Sequence, residues 1–282
     1  MSGTAAAKSA EEEIKSRARK LSLAGIEPCL GIVRVGARPD DLSYERSAAK
    51  RMSRLGIGLE VLELPADITQ SAFNRAFEAF NKKADIHGIL LFRPLPVPLS
   101  ADYAARVIAP FKDVDCMNLL NMADVFTGED DSRAPCTPSA VIELLEYYGV
   151  ALKDRKVTVI GRSLVFGKPF AMMAIRRNAA SITICHTKTV DLKEACVNAD
   201  ILVAAAGVSG LVTEDMVAEG AVVADVGINR TIDGRIVGDV NFDHVESKAS
   251  YITPVPGGVG AVTASVMARR VLDGAEFTRN TK

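Results

Sequence analysis

The 282-residue chain contains no tryptophan, and aromatic residues make up only 5% of it. Stacking of bases on aromatic side chains is therefore not expected. The 34 Lys and Arg residues are balanced by 35 Asp and Glu residues, so the basic surface that binds nucleic acid is also missing. No apolar run is long enough to span a bilayer, and the N-terminus lacks the apolar segment of a signal peptide. The sequence thus predicts a cytoplasmic protein that binds neither nucleic acid nor a membrane.

The five cysteines are odd in number and widely spaced, and no CxxC occurs. Neither a disulfide framework nor a zinc site is indicated, and we predict no metal. Hydrophobic residues make up 48% and charged residues 24%, which is the balance of a globular protein with a substantial core. The length corresponds to one large or two ordinary domains.

Helical patterns alternate with short apolar segments along most of the chain. The strand candidates of the first half are Cys29–Val35, Gly58–Leu64 and Gly88–Phe92. Those of the second half are Lys156–Ile160, Ser181–Cys185, Asp200–Ala205, Ala221–Val226 and Tyr251–Thr253. Strands that are apolar throughout and alternate with helices predict an α/β fold, with a parallel sheet covered on both faces in the second half.

A glycine-rich segment follows the strand Lys156–Ile160. It reads Gly161-Arg162-Ser163, with Gly167 shortly before the next helix. A strand, a glycine-rich turn and a helix bring backbone N–H groups together at a helix N-terminus, where a pyrophosphate is favourably bound. The pattern GRSxxxGxP differs from GxGxxG, so a tight turn that simply requires glycines is the alternative interpretation.

The next strand ends in Cys185–Thr189 (CHTKT), which contains no carboxylate. Dinucleotide-binding folds that use NAD usually place an acid there, on the ribose hydroxyl. Arg162, Thr187 and Lys188 could instead hold a ribose 2′-phosphate, which favours NADP over NAD. For His186, cofactor contact and a structural hydrogen bond are both open.

Small residues also follow the next two strands. They are Ala206 with Gly207, and Gly227 with Ile228. Small residues at the carboxyl ends of parallel strands leave room for a ligand. The segment Thr253–Gly260 (TPVPGGVG) predicts a rigid loop that borders the nicotinamide, with an ordinary interdomain connection as the alternative.

Taken together, these motifs resemble the methylenetetrahydrofolate dehydrogenase/methenyltetrahydrofolate cyclohydrolase (FolD-type) family. The motifs in the second half are GRSxxxGxP, CHTKT, DVGIN (225–229), GDVNF (238–242) and TPVPGGVG. Those before them are VG-x₇-Y (Val35, Gly36, Tyr44), KDVD (112–115) and PCTP (135–138). Each motif alone is moderately specific, whereas the full set in one order over residues 29–263 is very specific.

The resemblance implies a two-domain α/β protein, usually a homodimer, with a cleft between a folate-binding domain and a Rossmann-type NAD(P)-binding domain. We place these domains at residues 1–138 and 139–262, with the last helix (263–282) packing back on the first. The implied dehydrogenase passes a hydride from 5,10-methylenetetrahydrofolate to NAD(P)⁺, which yields 5,10-methenyltetrahydrofolate for one-carbon metabolism. Many members then hydrolyse this product to 10-formyltetrahydrofolate.

The resemblance also assigns site residues. Tyr44 matches the active-site tyrosine that lies against the folate, and Asp115 matches the carboxylate that hydrogen-bonds the pterin. The implied substrate-contacting set is completed by Pro256, Gly257 and Gly258. The implied cofactor-binding set is Gly161, Arg162, Ser163, Gly167, His186, Thr187, Ala206, Gly207, Gly227, Ile228 and Thr263.

Several family positions are changed in this chain. Asp41 stands where a serine is usual, Cys116 follows KDVD where the family has glycine, and two further changes bear on catalysis. Ala48 stands where the family has its catalytic lysine, one helical turn after Tyr44. Phe92 stands just before an LPLP-like loop, at the position where the family has a glutamine that hydrogen-bonds this lysine. Lys50 lies roughly 200° around the helix and is a poor substitute. Hydrolysis needs general acid–base groups, whereas hydride transfer depends on positioning. We therefore expect a dehydrogenase with weak or lost cyclohydrolase activity.

Three alternatives remain open at this stage. The first is the full bifunctional enzyme, with Lys50, Arg46 or Arg93 replacing the lysine. The second is a catalytically silent NADP-binding protein, against which the intact Tyr44 and Asp115 argue. The third is an unrelated Rossmann dehydrogenase, which only an analogy of fold would support.

Overall fold

The computed structural model describes residues 1–280, so the last two residues of the predicted 263–282 segment lie outside the described part. The chain divides into two compact units. The three-stranded unit comprises residues 10–123 and 264–280, and the five-stranded unit comprises residues 1–9 and 124–263.

These limits differ from the predicted domains, which placed residues 1–9 and 124–138 with the first half of the chain. Both segments have partners within the five-stranded unit. The Thr4 amide donates to the Gly257 carbonyl oxygen at 3.1 Å, and the Arg177 guanidinium bonds the Asp131 carboxylate at 2.6 Å. Such long-range partners cannot be deduced from local sequence.

The three-stranded unit contains a parallel sheet in the order β2-β1-β3. Its strands are β1 (Cys29–Val35), β2 (Gly58–Leu64) and β3 (Gly88–Leu91). Its helices are α1 (Gly3–Leu23), α2 (Pro39–Arg54), α3 (Gln70–Asn81), α4 (Asp102–Val107) and α5 (Leu119–Thr127); α1 begins, and α5 ends, in the five-stranded unit.

Helix α3 shows how the sequence builds this unit. It begins after Thr69, whose Oγ1 accepts a hydrogen bond from the Ala72 amide at 3.3 Å. Phe73, Phe77 and Phe80 recur at intervals of three and four residues and are all buried in the core below the sheet. Burying each such ring stabilises the fold by roughly 1.5–3 kcal/mol.

The five-stranded unit contains a parallel sheet in the order β10-β7-β6-β4-β5 and a separate antiparallel pair, β8-β9. Its strands are β4 (Lys156–Ile160), β5 (Ser181–Cys185), β6 (Ile201–Ala204), β7 (Val222–Asp225), β8 (Asn229–Arg230), β9 (Ile236–Val237) and β10 (Tyr251–Ile252). Its helices are α6 (Cys136–Tyr147), α7 (Gly167–Arg176), α8 (Leu192–Val197), α9 (Phe242–Val245) and the start of α10 (Val259–Asn280). The predicted α/β class with parallel sheets is confirmed.

Within residues 1–280, no helix combines the length and apolarity needed to cross a membrane. The same residues contain no group of three or more His, Cys, Asp or Glu side chains placed to hold a metal ion. All five cysteines are free thiols.

Candidate functional site

The carboxyl edge of the five-stranded sheet gathers the segments predicted to bind the cofactor. Ile160 at the end of β4 lies opposite both Cys185 of β5 and Ala204 of β6, so these three strands end at the same level. The chain leaves β4 towards β5 on one side and later returns to β6 on the other. Such a reversal of strand order opens the crevice in which open α/β sheets bind ligands.

The turn from β4 into α7 depends on two glycines. Gly161 has a φ of 131°, and a Cβ there would overlap the carbonyl oxygen of Ala205. A Cβ on Gly167 would overlap the carbonyl oxygen of Gly161, so the helix start lies directly against the strand end. Ser163 Oγ accepts a hydrogen bond from the Phe166 amide at 3.1 Å and closes the turn. The N-terminus of α7 is thereby brought to the crevice, where its N–H groups can bind phosphate.

The following turn, after β5, is shaped by His186 itself. Its amide donates to Thr189 Oγ1 at 2.9 Å, and its Nδ1 accepts a hydrogen bond from the Lys188 amide at 3.0 Å. These contacts support the structural interpretation of His186. Thr187 and Arg162 are exposed at this edge of the sheet, where their hydroxyl and guanidinium groups suit a phosphate.

Asp239 is a fully buried carboxylate that the sequence analysis did not single out. Its Oδ2 accepts hydrogen bonds from the amides of Ala206 (2.6 Å) and Gly207 (2.9 Å). Its Oδ1 accepts from the Val208 amide and from Asn229 Nδ2, both at 2.9 Å. Because three consecutive amides are already occupied, this turn after β6 can offer a ligand backbone acceptors but not these donors.

A second buried carboxylate, Asp225, fixes Asp239 in turn. Its Oδ1 accepts from the amides of Gly227 (3.0 Å) and Asp239 (2.9 Å), and its Oδ2 accepts from the Val240 amide (2.9 Å). The Asp225 amide donates to Thr253 Oγ1 at 2.7 Å. Burial outweighs these donors and raises the pKa of Asp225 to about 6. The two aspartates therefore join the segments that follow β6, β7, β9 and β10.

Glycines beside both aspartates are the signal that could have revealed this network. A Cβ on Gly227 would overlap the Asp239 carboxylate, and a Cβ on Gly238 would overlap the Asp225 carboxylate. In the motifs DVGIN and GDVNF, each glycine thus makes room for the acid of the other motif.

The loop Thr253–Gly260 follows β10 and contains the predicted substrate-contacting residues of this unit. They are Pro256, Gly257 and Gly258. The Thr4 amide, which donates to the Gly257 carbonyl oxygen, ties the loop to the start of the chain. Thr263, predicted to bind the cofactor, donates through Oγ1 to the Val259 carbonyl oxygen at 3.1 Å, so its hydroxyl bonds its own helix.

In the three-stranded unit, α2 carries Tyr44 and Ala48 one turn apart. Ala48 is buried, as is Phe92 directly after β3, whereas Tyr44 is 46% exposed. The ring centroids of Tyr44 and Phe92 lie 5.5 Å apart in an edge-to-face arrangement. The structure thus brings Tyr44 together with Phe92, and the tyrosine has an apolar neighbour while much of it stays accessible.

The segment KDVD turns around the buried carboxylate of Asp113. Its Oδ1 accepts from the amides of Asp115 (3.3 Å) and Met117 (3.1 Å). Its Oδ2 accepts from the Asn118 amide (2.8 Å) and from Asn121 Nδ2 (2.9 Å). Asp115 leaves this turn with a partly exposed side chain, which suits the substrate contact predicted for it.

Two residues near Asp115, Cys116 and Lys112, are buried and have structural roles. Cys116 has a φ of 55°, a left-handed conformation that favours glycine and accounts for the glycine of the family pattern. Burial raises the pKa of its thiol to about 12, so the thiol is uncharged at neutral pH. Lys112 is also buried, and its Nζ donates to two backbone carbonyl oxygens at 2.6 and 2.8 Å.

Three cationic side chains were candidates for the role of the missing lysine. Lys50 and Arg46 are exposed on α2, away from the buried face that carries Ala48. Arg93 differs from both, because its Nη2 lies 3.4 Å from Oδ2 of Asp115.

A cavity of about 340 Å³ lies elsewhere, at the amino edge of the five-stranded sheet. Its lining includes Arg155 just before β4 and Asp200 just before β6, together with Tyr148 and Tyr251. It is therefore at the opposite end of the strands from the predicted cofactor-binding turns and is not part of the candidate site.

Two models of one family match the chain. The tetrahydrofolate dehydrogenase/cyclohydrolase catalytic domain matches residues 1–115. The NAD(P)-binding domain of the same family matches residues 135–279.

Curated relatives and solved structures agree with these matches. A protein named "Bifunctional protein FolD" from Clostridioides difficile (strain 630) is 48% identical over 269 residues, which cover 95% of this chain and 93% of that protein. The protein of the same name from Carboxydothermus hydrogenoformans is 47% identical over 279 residues, covering 98% and 97%.

Among solved structures, the bifunctional FolD enzyme of Campylobacter jejuni is 38% identical with a TM-score of 0.94, covering 98% of both chains. The Trypanosoma brucei dehydrogenase-cyclohydrolase, complexed with NADP and an inhibitor, is 34% identical with a TM-score of 0.93, covering 100% of this chain and 98% of that one. The family and the two-domain α/β fold predicted from the motifs are thereby confirmed. This chain belongs to the tetrahydrofolate dehydrogenase/cyclohydrolase family, with an N-terminal catalytic domain and a C-terminal NAD(P)-binding domain.

Proposed function

We propose that this chain oxidises 5,10-methylenetetrahydrofolate with NADP⁺ as the acceptor. A C–H bond of the bridging methylene group breaks, the hydride carries both electrons to the nicotinamide, and the folate leaves as the 5,10-methenyl cation. Bound NADP⁺ would supply the electron sink, so the chain needs no further oxidant and no base at the reacting carbon. The contribution of the protein is to hold the two reactants in position.

The observation that carries the proposal is the glycine-built turn at the crevice of the five-stranded sheet. Gly161 and Gly167 bring the start of α7 to the point where a pyrophosphate would bind. Arg162 and Thr187 would hold the 2′-phosphate, which favours NADP over NAD as the cofactor. Ile228 is apolar yet 69% exposed at the same edge of the sheet, which suits the face of a nicotinamide ring. The relative from Trypanosoma brucei, complexed with NADP, supports this choice.

On the three-stranded unit, Tyr44 and Asp115 would hold the pterin. The exposed part of the Tyr44 ring offers an aromatic surface, and the Asp115 carboxylate can accept hydrogen bonds from pterin N–H groups. The family resemblance gives Tyr44 and Asp115 these roles, and both side chains are accessible enough to fill them.

The test is an assay of the purified chain with 5,10-methylenetetrahydrofolate and either NADP⁺ or NAD⁺. We expect the reduced nicotinamide to equal the methenyl product plus any 10-formyltetrahydrofolate formed from it, with a higher kcat/KM for NADP⁺. Binding of NADP⁺ without any turnover would support the silent-protein alternative instead.

The relatives bear on the second reaction as well. Their names describe bifunctional proteins, and they favour the bifunctional alternative over the purely dehydrogenating enzyme expected from the sequence. We therefore take dehydrogenase plus cyclohydrolase as the first candidate for the complete activity of this chain.

A specific observation supports the second candidate, a dehydrogenase with weak or lost hydrolysis. Ala48 and Phe92 are both buried and apolar, so neither position offers a polar group to activate water. Phe92 instead packs its ring against Tyr44. Loss of both polar partners together also avoids leaving one of them buried and unsatisfied.

The hydrolysis assay separates the two candidates. Enzyme-dependent decay of 5,10-methenyltetrahydrofolate by the wild type establishes the bifunctional enzyme. If the wild type is inactive, the double variant Ala48→Lys/Phe92→Gln should gain hydrolysis by roughly 10²–10⁴-fold, the usual contribution of general acid–base catalysis. Each single variant serves as a control, because it supplies one member of the pair without the other.

The homodimer and the cytoplasmic location stay predictions. A dimer of this 30.0 kDa chain would be detected by light scattering as a doubled mass.

A further inference from the structure

Arg93 introduces a positive charge next to the substrate residues of the three-stranded unit. The loop after Phe92 reads RPLP in this chain, where the family pattern is LPLP-like. An arginine therefore stands where the pattern has an apolar residue, directly after Phe92, one of the altered pair.

The backbone brings Arg93 and Asp115 to one end of the sheet. The Phe92 amide donates to the Val33 carbonyl oxygen at 3.0 Å, so β3 is held to β1 up to the residue before Arg93. Asp113 pairs with Ile89 in parallel orientation. Asp115 therefore lies two residues further along in the direction in which β3 runs towards Arg93.

At this end the Arg93 guanidinium reaches the Asp115 carboxylate, with Nη2 and Oδ2 3.4 Å apart. Each of the two side chains is 29% exposed. The pair is thus formed at the surface, where a substrate could contact both groups.

Two other arginines of the described part of this unit, Arg34 and Arg270, differ from Arg93. Arg34 is buried and bonds the carboxylates of Glu45 at 2.8 Å and Glu63 at 3.1 Å. Arg270, like Arg93, lies close enough to Cys116 to lower the pKa of its thiol, but the Arg270 side chain is buried. Of these three arginines, Arg93 is the one with a partly exposed side chain.

We propose that Arg93 is a positioning residue for the folate substrate, which acts by holding the Asp115 carboxylate in place. The proposal rests on the proposed function, because Asp115 is taken there as the pterin-binding group. It assigns a role to the charged residue that this chain has acquired beside Ala48 and Phe92. Arginine suits the role, because its planar N–H groups orient a carboxylate better than an ammonium group does.

The test compares Arg93→Leu with the wild type in steady-state kinetics. We expect the KM for 5,10-methylenetetrahydrofolate to rise about two- to fivefold, the upper part of the range for an exposed ion pair. The kcat and the KM for NADP⁺ should change less than about twofold, since the role proposed for Arg93 is to orient the Asp115 carboxylate and not to bind the cofactor or take part in hydride transfer. Arg93→Lys should recover part of the loss. Arg46→Leu removes an exposed arginine of α2 and should leave all three parameters unchanged.

A double-mutant cycle shows whether Arg93 acts through Asp115. In the Asp115→Asn background, Arg93→Leu should add little to the rise in KM, because the carboxylate that it positions is absent. An unchanged KM in Arg93→Leu, or an equal rise with and without Asp115, would overturn the proposal.

Calorimetric titration with tetrahydrofolate separates this proposal from the proposed function. If the wild type binds tetrahydrofolate but does not reduce NADP⁺, the proposed function fails, whereas weaker binding by Arg93→Leu still supports the role of Arg93. Equal binding by the two proteins rejects that role. Thermal unfolding of each variant verifies that the fold is retained.

Discussion

The two parallel sheets present their carboxyl edges in different ways. In the five-stranded unit, the candidate cofactor site consists of backbone turns fixed by the buried carboxylates of Asp225 and Asp239. In the three-stranded unit, the candidate substrate site consists of side chains such as Tyr44 and Asp115, which are partly exposed.

The difference explains where this chain departs from its family pattern. A site made of interlocked turns cannot lose a glycine or an aspartate without moving several segments. A site made of side chains can change residue by residue, as Ala48 and Phe92 show, while the sheet beneath stays intact. The following predictions test this contrast, in order of decreasing effect.

Gly167→Ala should have the largest effect. The added methyl group would overlap the carbonyl oxygen of Gly161 and push α7 away from β4. We expect the affinity for NADP⁺ to fall at least about 100-fold, equivalent to roughly 2.8 kcal/mol. Calorimetric titration measures this loss, and Gly58→Ala, where the methyl group would make only ordinary contacts, is the control. Unchanged affinity would show that the close contact between Gly167 and the Gly161 carbonyl oxygen is not needed for cofactor binding.

Asp239→Asn should follow. The two carboxylate oxygens of Asp239 accept from four N–H groups. In the variant, an amide NH₂ replaces one of these oxygens, so the N–H groups that bonded it would face another hydrogen-bond donor. We expect the free energy of unfolding to fall by roughly 2–4 kcal/mol, with a raised KM for NADP⁺. Denaturant unfolding and kinetics measure both quantities, and the exposed Asp233→Asn is the matched control. A variant as stable as the wild type contradicts the network.

Asp225 should make stability depend on pH. Its pKa of about 6 in the folded chain exceeds the ordinary value of 3.8. Its contribution to stability is therefore fully present below pH 3.8 and is lost as the pH rises through 6. Across this window the advantage of the wild type over Asp225→Asn should shrink by roughly 3 kcal/mol. Denaturant unfolding of both proteins on either side of the window tests this, and a constant difference rejects it.

The smallest effect is expected at Cys116, a departure in the three-stranded unit. Its left-handed backbone favours glycine over any residue with a Cβ. Cys116→Gly should therefore be more stable than Cys116→Ala by about 1 kcal/mol. Thermal unfolding of the two variants gives the difference, and the opposite order would show that strain at this position is negligible.

Local patterns predicted much of the fold. The bounds of β1, β2, β4 and β5 agree with the prediction to the residue, since each is an apolar or alternating segment that ends before a glycine, a proline or a polar turn. The last helix was predicted to begin at residue 263 but begins at Val259, and it is described as far as Asn280. Gly274 lies within this helix, where its lack of a side chain allows close contact with the carbonyl oxygens of His87 and Phe111.

The candidate site was predicted less completely. Tyr44, Asp115 and the GRS turn were found because each is marked by a local motif. Asp225 and Asp239 were missed as site-shaping residues because their donors come from segments far apart in the sequence. The partner of Asp115 was likewise not evident, since Arg93 precedes it by 22 residues.

The most direct test follows the transferred hydrogen. The chain would be given 5,10-methylenetetrahydrofolate deuterated on its bridging carbon, together with NADP⁺, and the reduced cofactor examined by mass spectrometry. We predict that the deuterium appears in the reduced nicotinamide, in an amount equal to the methenyl product plus any 10-formyltetrahydrofolate formed from it. Reduced cofactor without deuterium, or no reduced cofactor from a chain that binds both compounds, would contradict the account.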